Sequence, residues 1–221
     1  MREKITHGIL LRKVFLANDD GVLEFFTNDY GKCSLFVPKF ARSKKKINEI
    51  DFFRLLELEI FEGRNSKRLK TVTTKSLFHG FEKSYELNQL GFLWLEILNK
   101  ILPEEKESLA FFSQVVSIFG YVESIAIEKI EVFFWVKIFN FLGIFPRFDQ
   151  IQTDVFFDPM DCQFFSAARP KTLKITNLSR QILEFLRRND VESLNEKQEL
   201  FSDENLKEVL SVLLEMKKYH I

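Results

Sequence analysis

The sequence predicts an α+β protein: a five-stranded barrel over residues 1–80, followed by an α-helical domain over residues 81–221. Three observations carry this. Short β-rich runs separated by turn residues fill the first part. The hydrophobic period becomes helical near residue 80. The charge changes sign at the same place: residues 1–80 hold 16 Lys+Arg against 10 Asp+Glu, a net of +6, and the rest hold 16 against 22, a net of −6. The zero formal charge of the chain is therefore a cancellation. A length of 221 suits one large domain or two small ones, at about 150 residues per domain.

Each element follows from local chemistry. Ile5 to Val14 is β-branched and apolar around Gly8, and Asn18-Asp-Asp-Gly21 reads as a turn. Val22 to Thr27 is a second strand, closed by the turn Asn28-Asp-Tyr-Gly31. Lys32 to Val37 is a third, ended by Pro38. Phe52 to Phe61 alternates apolar and charged residues, and Leu69 to Thr74 follows the turn Glu62-Gly-Arg-Asn-Ser66. Five short strands in about 80 residues match a five-stranded OB-fold. Beyond residue 80, Leu90, Trp94, Ile97 and Ile101 form a helical stripe widened by Leu87 and Leu98. Leu102-Pro103-Glu104-Glu105 reads as a second helix start, running to Phe119 and Gly120. Val122 to Phe141 predicts a third helix, ending at Gly143. Residues 145–172 hold Pro146, Pro159 and Pro170 without a steady period, so they read as an irregular connection. Helices open again at Asn177-Leu-Ser and at Ser202-Asp-Glu.

Composition narrows the function. Hydrophobic content of 46% and charged content of 29% are those of a globular chain. No stretch reaches the roughly 20 apolar residues of a membrane span, since Ile125 to Phe145 is broken by Glu128, Lys129, Glu131 and Lys137. The short apolar run after Met-Arg-Glu-Lys stops at Arg12-Lys13, too short for a signal peptide, so a cytoplasmic location is expected. Cys33 and Cys162 cannot make a four-cysteine zinc site, and His7, His79 and His220 lack ligand spacing, so no metal or cofactor is expected. The 26 Phe read as a packed core or as a stacking surface.

Catalytic patterns are missing. The chain has no GxGxxG, GxxxxGK[ST], GxSxG or HExxH motif. The paired acids Asp19-Asp20 and Glu104-Glu105 fall in a turn and a helix start, where acids serve local needs. The reading is not an enzyme. The strongest feature is basic: Lys39, Arg42, Lys44, Lys45, Lys46, Arg54, Arg64, Lys67, Arg68, Lys70 and Lys75 fall within 37 residues. Such clustering predicts a polyanion site or a solvated lysine face. Lys39-Phe-Ala-Arg-Ser-Lys-Lys-Lys46 follows a strand and reads as a basic barrel loop, with Tyr30, Phe36 and Phe40 near enough in sequence to stack on bases.

In order and spacing, several segments together resemble the RecO recombination-mediator family: Gly8-Ile-Leu-Leu-Arg12, Asn18-Asp-Asp-Gly21 through Thr27, Gly31-Lys-Cys-Ser-Leu-Phe-Val-Pro38, Lys39-Phe-Ala-Arg-Ser-Lys44 and Leu55-Leu-Glu-Leu-Glu-Ile-Phe61. Leu102-Pro-Glu-Glu105 and Phe141-Leu-Gly143 with Pro146 continue the order, so the resemblance spans about residues 5–170. It implies an N-terminal OB-fold and a C-terminal helical domain. It implies binding of single- and double-stranded DNA and annealing of complementary strands. With RecR, such proteins help load the RecA recombinase onto DNA coated by single-strand-binding protein, whose acidic, Phe-ended C-terminal tail they contact. The family's basic loop falls on Lys39, Arg42, Lys44, Lys45 and Lys46, with Arg12 and Lys13 flanking it. Arg64, Lys67 and Arg68 complete the candidate DNA-binding set, and Lys100, Lys129, Lys137 and Arg147 are candidates for the partner tail. Many family members carry a four-cysteine zinc module after this point, but Arg147-Phe-Asp-Gln-Ile-Gln-Thr-Asp-Val155 has no cysteine, so zinc is not expected here. A second reading is a protein–protein adaptor whose basic barrel takes an acidic peptide.

Overall fold

One long strand closes the barrel. In a computed structural model, which describes residues 2–63, 66–104, 108–146, 155–195 and 200–221, β1 (Arg2–Phe15) pairs with two partners. Its first half, Arg2 to Gly8, runs antiparallel to β4 (Arg54–Glu62), and Gly8 to Phe15 runs antiparallel to β2 (Gly21–Thr27). Gly8 lies at the handover. A Cβ there would meet Leu58 Cδ1 at 3.0 Å and the Phe26 carbonyl oxygen at 3.2 Å, so a side chain would crowd the point where the two pairings meet. A bulge between Leu10 and Arg12 then re-aims the strand. With β3 (Gly31–Val37) and β5 (Lys67–Leu77) the order is β1-β2-β3-β5-β4, closed, with β3 and β5 parallel. This is the OB-fold. Alternation points Leu23, Phe25, Cys33, Leu35, Leu56, Leu58, Ile60 and Leu69 inward, all buried in one core. Each such Leu or Phe contributes about 1.5–3 kcal/mol by leaving water.

The segment after β3 departs from the expected loop. Phe40–Arg42 forms a 3-10 turn, and Lys44–Glu49 forms α1. Ser43 caps it, its Oγ accepting from the Lys46 N–H at 3.3 Å. Phe40 and Ile50 are fully buried and Ile47 packs beside them, so this basic stretch stoppers the barrel with its apolar side. β4 begins at Arg54 rather than Phe52, because Phe53 takes a left-handed conformation, φ 56°. Packing holds that strained residue: its ring stacks on Phe81 at 4.4 Å and meets Phe92 edge-on at 5.0 Å.

The chain packs as two units, residues 1–123 and 124–221, so the change of period near residue 80 marks where strands give way to helices and not where the packing divides. In the first unit, α2 (Gly80–Lys83), α3 (Tyr85–Ile101) and α4 (Leu109–Tyr121) join the barrel. Phe26, on the outer side of β2, packs against Phe111 and Phe112 of α4. The expected helix start at Pro103 is not one. Leu102 to Glu104 is extended, the Lys32 N–H donates to the Pro103 carbonyl at 3.3 Å, and Glu104 bridges to Lys32. Glu105 lies outside the described residues.

In the second unit, α5 (Ile127–Phe141) starts later than Val122, capped at Ala126. It is buried continuously from Val132 to Phe139. Gly143, φ 74°, ends it as expected, letting the Ile144 N–H reach the Phe139 carbonyl at 3.1 Å. The region expected to be irregular holds an antiparallel sheet of β6 (Val155–Asp158), β7 (Gln163–Phe165) and β8 (Leu173–Ile175), in the order β7-β6-β8. Residues 147–154, where the cysteine-free departure begins, lie outside the described residues. α6 (Asn177–Arg188) and α7 (Asp203–His220) follow. Glu208 of α7 accepts from the Thr176 N–H and Oγ1, at 2.9 and 2.8 Å, and from the buried Ser179 hydroxyl, tying the start of α6 to α7.

Fourteen of the 26 Phe are buried among the described residues, and Phe25, Phe26, Phe40, Phe81 and Phe119 in the first unit, with Phe133, Phe134, Phe139 and Phe157 in the second, are almost fully so. No helix among the described residues is long and apolar enough to cross a membrane. Among the described residues, no three His, Cys, Asp or Glu side chains gather as metal ligands.

Candidate nucleic-acid interface

Strands β2 and β3 present one face to the core and one outward. Since Cys33, Leu35 and Val37 point in, Lys32, Ser34 and Phe36 point out. The register places Ser34 beside Glu24, Glu24 beside Arg12, and Phe36 beside both Val22 and Arg68. Two loops border this face. The β1–β2 turn lies at one end of the pair, and β5 begins beside Leu35 and Phe36, directly after the β4–β5 turn. In OB-folds these are the strands and loops that take oligonucleotides.

The basic segment is fastened to the β1–β2 turn by the paired acids. The Lys39 N–H donates to Asp20 Oδ1 at 2.7 Å, the Ala41 N–H donates to the Asp19 carbonyl at 2.9 Å, and the Arg42 guanidinium donates to the Asp19 carboxylate. Asp19 and Lys39 both hold left-handed backbone, φ 62° and 52°, which turns each chain toward the other. Asp19 and Asp20 thus hold a basic segment in place.

The candidate cations separate into two groups. Several are already neutralised. Lys13 meets Asp51 at 3.0 Å and lies over the Phe52 ring, and Arg54 shares the same acid at 3.8 Å. Lys75 meets Glu57 at 2.8 Å. Lys70 meets Glu59 at 2.7 Å and Glu3 at 3.1 Å. Hydrogen bonds from Lys70 and then Thr71 hold the Glu59 carboxyl below its ordinary 4.5, and the same contact with Glu59, then Glu3, raises Lys70. By contrast, Arg12, Lys39, Lys44 and Arg68 are exposed and make no ion pair among the described residues. Arg42 stays open beyond its tie to Asp19, with its side chain 75% exposed, and Lys46 is half-buried. Lys67 lies over the Tyr30 ring at 5.1 Å. Arg64 and the side chain of Lys45 lie outside the described set.

The aromatic candidates also separate. Phe40 is fully buried in the barrel stopper and cannot stack on a base. Tyr30 packs on the core between the ammonium groups of Lys67 and Lys4, the latter raised first by its hydrogen bond to Glu62. Phe36 remains, half-buried on the outer face.

The tail candidates divide between the two units, Lys100 in the first and Lys129 and Lys137 in the second. Lys100 is exposed near the end of α3. Lys137 is buried: its ammonium donates to the Asn189 and Arg187 carbonyls at 2.7 and 3.3 Å and lies over the Phe133 ring. Desolvation lowers its pKa. It closes the end of α6 and has no free donor face for a peptide carboxylate. Lys129 lies over the Phe201 ring at 5.4 Å, and Arg147 lies outside the described residues. Cys162 meets His220 Nε2 at 3.2 Å, and burial pushes its thiol up to about 11, which leaves an inert thiol at neutral pH.

Comparison with known proteins agrees with this geometry. A family model described as the N-terminal part of recombination protein O matches residues 1–81, which hold all five barrel strands. The DNA repair protein RecO of Bacteroides fragilis is 24% identical over 173 residues, 75% of this chain and 71% of that protein. The RecO of Phocaeicola vulgatus is 21% identical over 168 residues, covering 73% and 69%. That of Halalkalibacterium halodurans is 24% identical over 147 residues, covering 65% and 57%. The matched barrel and these relatives agree: the chain is similar to RecO proteins, and residues 1–81 carry the match to the family model.

Proposed function

We propose that the protein acts in DNA repair as a recombination mediator, holding DNA on the outer face of its barrel by electrostatic, noncovalent contacts. One observation carries the reading: Arg12, Lys39, Lys44 and Arg68 are exposed and without acid partners among the described residues, on or beside a β2–β3 face framed by the two loops that OB-folds use for oligonucleotides. Cations held open in this way, while Lys13, Arg54, Lys70 and Lys75 are neutralised, suit contact with phosphates. Such contacts position a strand without reading its sequence. The family and the names of its relatives support a repair role.

On this reading the barrel binds single- and double-stranded DNA and anneals complementary strands. It works with RecR and engages the acidic tail of single-strand-binding protein, so that RecA loads onto coated DNA. Tethering to the coat raises the local concentration of the mediator where strands are exchanged. Replacing Lys44, Lys45 and Lys46 together by Ala tests the site. Removing a lysine that touches a phosphate lowers affinity for every sequence alike and flattens the salt dependence by about one unit. Unchanged affinity in the triple variant refutes the assignment of α1 to the DNA site.

A further inference from the structure

On the outer face of β2 and β3 lies a cleft of about 260 Å³, room enough for a nucleobase. Val22 and Phe36 are the apolar part of its lining, and Ser34 and Ser66 line it as well. Lys32 and Lys67 also line it, with Arg68 next in the chain after Lys67. Glu104 lies on the cleft as well, 3.9 Å from the Lys32 ammonium. Phe36 has no ring partner among the described residues, so a face of the ring is available.

We infer that this cleft is a subsite for a single unpaired nucleobase, stacked on Phe36, with the adjoining phosphate on Arg68 and Lys67. The inference rests on the nucleic-acid reading above and adds a preference to it. A stacking face set in a narrow cleft takes a base only when that base has left its duplex neighbour, so this subsite engages single strands and leaves duplexes to the exposed cations alone. Charge fixes the orientation. Phosphate is attracted toward Arg68 and Lys67, whereas on the Glu104 side the carboxylate offsets the Lys32 ammonium that also lines the cleft, so the backbone runs along the β5 side. The hydroxyls of Ser34 and Ser66 face whatever polar edge the base presents, which suits a site tolerant of sequence.

The test compares Phe36→Ala with the natural protein on labelled oligo-dT and on a labelled hairpin duplex of the same charge. Losing one stacked base weakens single-strand binding about 5- to 150-fold, roughly 1–3 kcal/mol, and leaves duplex binding within about two-fold. Phe36→Trp keeps a stacking surface and guards against a folding defect. It retains single-strand affinity, and its new indole is quenched by oligo-dT but not by duplex, against the buried Trp94 and Trp135. Equal losses on both DNAs in the Ala variant, or no loss on oligo-dT, or an indole blind to oligo-dT, overturns the inference while leaving the DNA reading in place. A natural protein that binds neither DNA at low salt removes the reading and the inference together.

Discussion

Glu59 shows how single contacts sort the cations of the barrel. Its carboxylate takes the Lys70 ammonium at 2.7 Å and the Thr71 hydroxyl at 2.8 Å, so Lys70 is already charge-paired within the barrel. The folded pKa of Glu59 lies below 4.5, so its contribution to stability is present above pH 4.5 and is lost as pH falls through the folded value. Carboxyl NMR titration of Glu59 gives a midpoint below 4.5, and Lys70→Ala moves it up toward 4.5; an unmoved midpoint contradicts the pairing. The pair is exposed, so its effect on overall stability is small. Asp19 works differently: it holds Arg42 in place without burying it. Most of these pairings were not legible in the sequence, because Glu3, Asp19, Glu57 and Glu59 reach their cations through strand pairing and loop packing, and only Asp51 with Arg54 is a local i,i+3 pair. Phe36 was legible from its alternation with Leu35 and Val37, whereas Phe40 lies beyond the strand, where alternation says nothing.

At the scale of elements, α1 carries Lys44, Lys45 and Lys46 in its first turn, where positive charge opposes the helix dipole. Replacing them by Ala therefore leaves the melting temperature unchanged or slightly raised, even as DNA binding weakens; a large drop in melting temperature makes these lysines structural. Lys137 predicts the opposite pattern. Lys137→Met leaves the Asn189 and Arg187 carbonyls short of a donor, destabilises the protein by about 1–3 kcal/mol in urea unfolding, and leaves DNA binding alone. Strands β1–β5 were legible because turn residues bound each one. α1 was hidden by its six-residue length and by lysines where a helix start favours acids. The Pro-Glu-Glu pattern at 103–105 imitated a helix start, while Pro103 in fact lies in an extended segment hydrogen-bonded to β3. Strands β6–β8 are three or four residues long, too short to show a period.

Across the whole molecule, a formal charge of zero conceals +6 in residues 1–80 and −6 in the remainder. Part of that positive charge is neutralised locally, while among the described residues Arg12, Lys39, Lys44 and Arg68 stay open, with Arg42 held by Asp19 but accessible. A chain of no net charge thus presents a localised positive field, which steers a polyanion to one region and falls off with salt. Neutralising phosphates releases the counterions condensed on DNA, at about −0.7 in log–log slope per phosphate on single strands. The most direct test is fluorescence anisotropy with labelled oligo-dT over a range of salt. About three to five phosphates neutralised predict a straight log–log plot of slope about −2 to −4. No binding at low salt, or an affinity indifferent to salt, contradicts the account.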